Sequence, residues 1–255
     1  IDRQSGRRIA SILGAILATA FVVRSISIFS CHIFPFSDSF EYVQLARQIS
    51  GGMGYLHHGV PTAYRPPGYP FLLAALFSWA GDSVISGQVM QAVIETLHCF
   101  LIYLLGRIMF SRLTGLICAS FWAANPVSVI QSNLLMPEAI FARLFTGSLA
   151  WLFSNTDRER FKHLGVGFLW GLMVLVKPFF FVAPLIYLTW TVLVKQPLRK
   201  SMVSFALIIS GTILVIAPWI IRNYSLFGSP LISSNSGMNI YIGSNPQANG
   251  SYRAV

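Results

Sequence analysis

The sequence places acidic and basic side chains at the edges of apolar runs, where each could take part in chemistry. Asp38 and Glu41 follow the first apolar run in "SDSFEYVQLARQI", and Arg65 stands in "YRPPGYP". Farther along, Glu138 stands in "MPEAIFAR" and Lys177 in "LVKPFF". A carboxylate can take a proton from a hydroxyl group, and cations stabilise a phosphate that leaves. These residue types favour chemistry on a phosphate-linked substrate at a membrane surface.

Each of these residues also has a structural interpretation. Asp38 and Glu41 form the D-x-x-E pattern of a capping box. Arg65 is held extended by the proline that follows it, where it could clamp a phosphate or anchor a lipid headgroup. Glu138 suits the first turn of a helix, and Lys177 could snorkel from the end of a span. At this point the sequence leaves both interpretations open.

Composition defines the class of protein that must position these side chains. The chain has 255 residues, of which 55% are hydrophobic and 10% charged, and its mean hydropathy is +0.64. Soluble proteins have roughly 25% charged residues. We therefore predict an all-α, polytopic transmembrane protein. The net charge of +10 is read as a topology signal and not as nucleic-acid binding, and the three scattered cysteines predict neither a disulfide framework nor a metal site.

The apolar runs predict about seven spans. They cover residues 9–30, 84–110, 113–130, 134–153, 164–194 and 202–221, and the fifth run is long enough for two short spans that meet at Lys177 and Pro178. The loop between the first two spans contains two further helical patterns. Residues 38–49 place Tyr42, Leu45 and Ile49 on one face of an interfacial helix. Residues 68–81 are apolar but too short to span, so we predict a re-entrant or interfacial helix.

The distribution of basic residues predicts the orientation. With the N-terminus in the cytoplasm, 11 of the 18 basic residues fall on the inside: Arg3, Arg7, Arg8, Arg107, Arg112, Arg158, Arg160, Lys162, Lys195, Arg199 and Lys200. The positive-inside rule then places the C-terminal tail outside. We predict a transmembrane module over residues 1–221, with a first outer loop at 31–83, and the start of an outer loop at 222–255.

Several polar residues inside the predicted spans are assigned structural roles. Arg24 lies near the end of the first span and is expected to snorkel to the interface. Glu95 and His98 are expected to form an interior polar contact, since a metal site would need more ligands. Arg143 is expected to pair with Glu138 or to lie at the rim of the site.

Taken in order, the motifs resemble a known family. They are the acid in "SDSFEYVQLARQI", the G-x-G-Y pattern at Gly52–Tyr55, "YRPPGYPFLLA", "MPEAIF" and "RNYSLFGSPLISSNSGMNIYIGSNPQANG". This series resembles membrane glycosyltransferases of the GT-C fold, and most closely the bacterial dolichyl-phosphate-mannose–protein mannosyltransferase-like family, which is related to the lipid A aminoarabinose transferase. Each motif is loose, and the order and spacing of the set carry the resemblance. Members of the family usually have more spans, so we expect either part of a longer enzyme or a short member.

The resemblance implies a role for each residue. Asp38 matches the general base of the first loop, and Arg65 and Lys177 match residues that contact the donor phosphate. Arg222, which begins the outer tail, is placed with these two cations. Glu138, and Glu41 beside Asp38, are candidates to contact the acceptor or a metal. The resemblance implies no certain cofactor and leaves a divalent metal ion open.

The function expected from the resemblance is inverting transfer of a sugar from a polyprenyl-phosphate donor. The acceptor would be a hydroxyl of a glycan, a lipid or a protein, at the periplasmic or extracellular face of a bacterial inner membrane. Membrane lipids are expected partners and nucleic acid is not. The alternatives are a transporter or flippase of lipid-linked substrates, and a non-catalytic membrane assembly subunit. A transporter should show an internal repeat and charges near the bilayer midplane, and neither is evident in the sequence.

Overall fold

The computed structural model describes residues 3–31 and 33–244, so the predicted outer tail is described only as far as Ser244. The described chain is mostly helical, and two antiparallel strands of two residues each form its small sheet. The elements in order are α1 Arg3–Cys31, α2 Asp38–Ser50, β1 Leu56–His57, β2 Val60–Pro61, α3 Gly68–Ala80, α4 Val84–Met109, α5 Arg112–Ala124, α6 Pro126–Gln131, α7 Glu138–Leu152, α8 Glu159–Val176, a 3₁₀ helix at Pro178–Val182, α9 Ala183–Leu193, α10 Leu198–Phe227 and α11 Asn235–Ser244.

The predicted class, a polytopic helical membrane protein, is confirmed. Within the described ranges, α1 from Gly6, α4 and α10 are each long and apolar enough to cross a membrane. The other predicted spans correspond to shorter helices: α5 with α6, α7, α8, and the 3₁₀ helix with α9. A 15-residue helix such as α7 rises about 22 Å, less than the roughly 30 Å hydrocarbon core. The seven predicted spans therefore become three long helices and several shorter segments packed among them.

Two helix breaks shape the bundle. The predicted split at Lys177–Pro178 is confirmed, because α8 ends at Val176 and a 3₁₀ helix begins at Pro178. A second break lies at Asn125, where α5 ends, and the Asn125 side chain caps the start of α6. The sequence prediction treated residues 113–130 as one continuous span and missed this break, although Pro126 disfavours helical backbone at Asn125.

Helices α8 and α10 pack closely against each other. Gly167 and Gly171 on α8 face Gly211 and Thr212 on α10 so closely that a Cβ at any of these glycines would collide with the neighbouring backbone or side chain. The Thr212 hydroxyl donates to the Gly167 carbonyl at 3.1 Å. Small residues permit such approach between membrane helices, where packing and hydrogen bonding drive association. This pair holds the C-terminal end of α8, and hence Lys177, in a fixed place.

The two helices of the first outer loop pack on each other, as their apolar faces require. Tyr42 and Leu45 of α2 are buried, which confirms the predicted apolar face of this helix. Tyr42 joins Tyr69 and Leu73 of α3 in a core cluster, and the Tyr42 and Tyr69 rings meet edge-on with centroids 5.5 Å apart. The face predicted to lie on lipid is therefore covered largely by protein.

Arg24 corrects a sequence prediction. It does not snorkel, because its side chain is fully buried in the bundle. Its guanidinium donates to Ser128 Oγ at 2.6 Å and to the Trp122 and Ala123 carbonyls at 3.4 Å. These carbonyls belong to the last turn of α5, and the Trp122 carbonyl also accepts from Asn125 N at 3.2 Å and from Ser128 Oγ at 3.1 Å. Arg24 thus adds hydrogen bonds at the α5–α6 break, where the regular pattern of the helix ends.

Arg143 corrects a second prediction. It pairs with Glu95 on α4, not with Glu138, and both side chains of the pair are buried. Trp122 Nε1 donates to the other Glu95 oxygen at 3.4 Å. His98 bonds to Thr146 Oγ1 at 2.9 Å, so Glu95 and His98 each have their own partner on α7. The structural role predicted for Glu95 fits this arrangement, but Glu95 bonds to Arg143 and Trp122 and not to His98, the predicted partner.

Candidate active site

A cavity of about 970 Å³ lies at the end of the bundle where α8 ends and Lys177 follows. It is lined by the start of α2, the loop before α3, the start of α7 and the end of α8, and α11 adds two residues. Its charged lining residues are Asp38, Glu41, Arg65, Glu138 and Lys177. The structure therefore brings together five of the six residues singled out from the sequence, although 139 positions separate the first from the last.

Arg65 is the centre of the charge network. Its Nη1 and Nη2 donate to the two carboxylate oxygens of Asp38 at 3.1 and 2.7 Å, and its Nε donates to Glu41 Oε2 at 2.7 Å. Asp38 and Glu41 lie three residues apart on α2 and so share a helix face. The Arg65 side chain is only 11% exposed and lies between these two carboxylates.

The surroundings of Arg65 keep it charged. Burial by itself lowers the pKa of Arg65, but hydrogen bonds and charge from Glu41 and Asp38 outweigh burial and raise that pKa above its ordinary value. The guanidinium also lies over the Tyr64 and Tyr42 rings, with centroids at 5.2 and 5.5 Å. Burial raises the pKa of Tyr42 to about 12, so its hydroxyl is neutral at physiological pH.

Lys177 and Glu138 form the second ion pair of the cavity. Lys177 Nζ donates to Glu138 Oε1 at 2.6 Å, and both side chains are partly exposed. Glu138 is the first residue of α7, where the helix dipole favours an acid, and Lys177 directly follows the last residue of α8. The interpretation of Glu138 as a helix-start residue is thus confirmed, and its carboxylate faces the cavity as well.

The capping-box interpretation of Asp38 and Glu41 is wrong. Asp38 is the first residue of α2, and the preceding Ser37 makes no side-chain cap. Ser39 closes the turn instead, because its Oγ accepts from Phe36 N at 2.8 Å and donates to Phe36 O at 2.7 Å. Ser37 has a φ of 50°, which is uncommon for a residue other than glycine. Both carboxylates are therefore directed to Arg65 and not to the helix backbone.

The distance between the Arg65 side of the cavity and the Lys177 side depends on Gly68. This first residue of α3 packs against the end of α8, where a Cβ would lie 2.8 Å from Val176 Cγ2 and 3.0 Å from the Leu175 carbonyl. Arg65 lies three residues before Gly68, and Lys177 directly follows Val176. The close approach at Gly68 therefore sets how near the two cations come.

Arg222 does not share this cavity. It lines a separate, mostly apolar groove of about 390 Å³ with Tyr55, Phe71 and Trp219, and no residue lines both spaces. Its guanidinium donates to the Thr62 carbonyl at 2.7 Å and to the Tyr55 carbonyl at 3.3 Å. The structure thus separates Arg222 from Arg65 and Lys177, with which the sequence prediction had placed it.

Among residues 3–31 and 33–244, no group of three or more His, Cys, Asp and Glu side chains is arranged to hold a metal ion. The carboxylates of Asp38, Glu41 and Glu138 are instead paired with Arg65 and Lys177.

Sequence reasoning missed the aromatic residues of the site. Tyr42 was assigned only to the apolar face of α2, and Tyr64 was not singled out, yet both rings lie beside the Arg65 guanidinium. Tyr55 also contacts this segment, because its hydroxyl donates to the Arg65 carbonyl at 2.9 Å. The signal for Tyr64 was its place directly before Arg65, and the signal for Tyr55 was the G-x-G-Y pattern.

Residues 64–221 match the model of the dolichyl-phosphate-mannose-protein mannosyltransferase family, and this is more than half of the chain. The chain belongs to this family. No curated protein and no solved structure matches the chain. The matched segment includes Arg65, Glu138 and Lys177, whereas Asp38 and Glu41 precede it and Arg222 follows it.

Family membership confirms the resemblance derived from the motifs. The protein is a glycosyltransferase of the GT-C type and an integral membrane protein. The family implies a lipid-linked sugar donor and a glycan or protein acceptor. This supports the transferase over the two alternatives, a transporter of lipid-linked substrates and an assembly subunit.

Proposed function

We propose that the protein transfers a sugar, with inversion, from a polyprenyl-phosphate donor to an acceptor hydroxyl at the outer face of a bacterial inner membrane. The observation that carries the proposal is the cavity in which Asp38 and Glu41 share Arg65 while Glu138 holds Lys177. It combines carboxylates, which can take a proton, with cations, which can hold a phosphate. It lies at the end of the bundle, where a lipid chain can stay in the bilayer while its phosphate enters the cavity.

The charges of the cavity suggest how the donor binds. Three carboxylates face two cations, so the five side chains carry a formal net charge of −1. A phosphate can enter favourably only by taking Arg65 and Lys177 from their carboxylates, because an additional anion would otherwise meet net repulsion. Arg65 offers the fork geometry that suits phosphate oxygens, and Lys177 offers a point charge. Donor binding would therefore be an exchange of partners within the cavity.

This exchange would also release the base. While Asp38 is bound through both oxygens to Arg65, its carboxylate is directed to the guanidinium and not to an acceptor hydroxyl. Once the phosphate takes Arg65, an Asp38 oxygen can accept the proton of the acceptor hydroxyl. The acceptor oxygen forms its bond to the anomeric carbon as the bond from that carbon to the phosphate oxygen breaks, and the electron pair leaves with the phosphate. A single displacement of this kind inverts the anomeric centre, and the order of binding is donor first.

The test is transfer of radiolabelled sugar by the purified protein in lipid nanodiscs. A panel of short-chain polyprenyl-phosphate sugars serves as donors, with membrane glycans, lipids and peptides as acceptors. Asp38→Asn is expected to lower turnover about 10²- to 10⁴-fold, the usual contribution of a general base, while donor binding is retained. The anomeric configuration of the product, read by NMR, tests inversion.

Asp82→Asn is the matched control. Asp82 is also a partly exposed aspartate paired with an arginine, Arg47, but it lies outside the cavity. It should transfer sugar at the wild-type rate. Equal turnover by Asp38→Asn and the wild-type protein would remove Asp38 from the role of base. Binding of every donor by the wild-type protein without transfer to any acceptor would overturn the proposed function.

A further inference from the structure

We infer that Arg222 is a positioning residue that acts on Arg65 through the loop between α2 and α3, without contacting the donor. The inference rests on the proposed function of Arg65 as a phosphate ligand. It reverses the role in phosphate binding that the resemblance implied for Arg222. Three observations lead to it: the contacts of Arg222, the contacts of Tyr55 and the separation of the two spaces.

The guanidinium of Arg222 is engaged with the loop itself. Nη1 donates to the Thr62 carbonyl at 2.7 Å and to Asn223 Oδ1 at 2.7 Å, and Nη2 donates to the Tyr55 carbonyl at 3.3 Å. Thr62 and Tyr55 flank the β1–β2 hairpin, and Thr62 N also donates to the Tyr55 carbonyl at 3.2 Å. One side chain from α10 thus holds both ends of the hairpin, because a planar fork can serve two acceptors at once.

Tyr55 connects this clamp to Arg65. Its backbone carbonyl accepts from Arg222, while its hydroxyl donates to the Arg65 carbonyl at 2.9 Å and to the Pro66 carbonyl at 3.3 Å. The Tyr55 ring is buried against Trp219, with ring centroids 4.9 Å apart, and Arg222 lies over the Trp219 ring at 4.6 Å. Burial raises the pKa of Tyr55, so the hydroxyl keeps the proton that it donates.

The two spaces lie on opposite sides of a common wall. Arg65 and Pro66 line the active-site cavity, whereas the next residue, Pro67, lines the groove with Arg222. In the same way, Val176 lines the cavity and the preceding residue, Leu175, lines the groove. Arg222 therefore lies on the groove side of this wall, and the Arg65 guanidinium lies on the cavity side. A residue in this position affects turnover by shifting the segment that carries Arg65. Small displacements of a ligand-binding group can lower the rate about 10²-fold.

The experiment compares Arg222→Gln, Arg222→Lys, Tyr55→Phe and the double variant Arg222→Gln with Tyr55→Phe. In the protein without substrate, hydrogen–deuterium exchange of residues 55–66 should become faster in every variant. Turnover should fall about 10- to 100-fold in each single variant. Turnover of the double variant should be no lower than that of the less active single variant, because both substitutions break the same connection. Arg222→Lys should behave like Arg222→Gln, because a lysine carries the charge without the fork.

Direct phosphate binding by Arg222 gives the opposite results. Arg222→Lys would then retain most of the activity, and Tyr55→Phe would turn over normally. Either result would overturn the inference, as would unchanged exchange in residues 55–66. Arg47→Gln, which removes a surface arginine at the C-terminal end of α2, is the matched control and should change neither readout. The exchange measurement requires no turnover, so it decides the clamp even if the proposed reaction fails.

Discussion

Two groups of ion pairs in the described part of the chain have opposite properties. The pair Glu95–Arg143 lies inside the bundle, where both side chains are buried. In the cavity, the carboxylates of Asp38 and Glu138 are each 45% exposed although their partners are more enclosed. A buried pair has no competing partner, so it fixes the packing of α4 against α7. The cavity pairs can exchange partners with a ligand, which suits them to binding and chemistry.

The first prediction breaks the buried pair. Glu95→Gln leaves the Arg143 charge without its counter-charge inside the bundle and should lower the free energy of unfolding by about 3–5 kcal/mol. Replacing both residues, as in Glu95→Leu with Arg143→Met, should recover much of this loss because no unpaired charge remains. Unfolding in detergent micelles measures both variants. A Glu95→Gln protein as stable as the wild type would contradict the structural role of the pair.

The second prediction breaks the cavity network. Arg65→Gln should lower turnover about 10²- to 10³-fold, the range seen when one group that stabilises transition-state charge is removed. Its free energy of unfolding should change far less than that of Glu95→Gln, since Asp38 and Glu41 are partly exposed and can be solvated. Sugar transfer and unfolding in micelles are measured on the same preparations. Loss of stability comparable to that of Glu95→Gln would make Arg65 structural and remove the contrast.

The third prediction changes the spacing of the cavity while all its charges remain. Gly68→Ala places a methyl group against Val176 and the Leu175 backbone, and overpacking of this kind costs about 1–3 kcal/mol. Turnover should fall as well, because the start of α3 and the end of α8 move apart. Gly14→Ala is the matched control, because a Cβ there meets nothing within 4 Å. Normal turnover in Gly68→Ala would show that the cavity tolerates a change of spacing.

The smallest effect is expected at a third kind of ion pair. Arg47 and Asp82 lie at the surface, 2.8 Å apart, with about half of each side chain exposed. Arg47→Gln should change the free energy of unfolding by less than about 1 kcal/mol, since exposed pairs contribute little. Unfolding in micelles at low and high salt measures it. A larger loss would mean that exposure alone does not separate the three classes of ion pair.

The sequence predicted which residues meet, but not how they pair. Asp38, Arg65 and Lys177 could be placed at one membrane face because apolar runs and basic residues define spans and orientation. Their pairing depends on how α2, α7 and α8 pack, and no local pattern encodes that packing. Arg143 illustrates the limit, since a pair with Glu138 was expected from their nearness in sequence, while the fold offered Glu95 on another helix. Arg222 likewise looked like part of the site until the wall between the two spaces was visible.

Arg24 on α1 has a consequence for the biosynthesis of the protein. Its partners Trp122, Ala123 and Ser128 lie 98, 99 and 104 residues farther along the chain. At typical synthesis rates, about 5–20 s separate the emergence of Arg24 from that of the segment that satisfies it. Throughout this interval the first helix carries an arginine whose available backbone partner is the Ala20 carbonyl of its own helix, at 2.9 Å. The first helix therefore depends on the insertion machinery, or on water at the membrane edge, until α5 and α6 arrive.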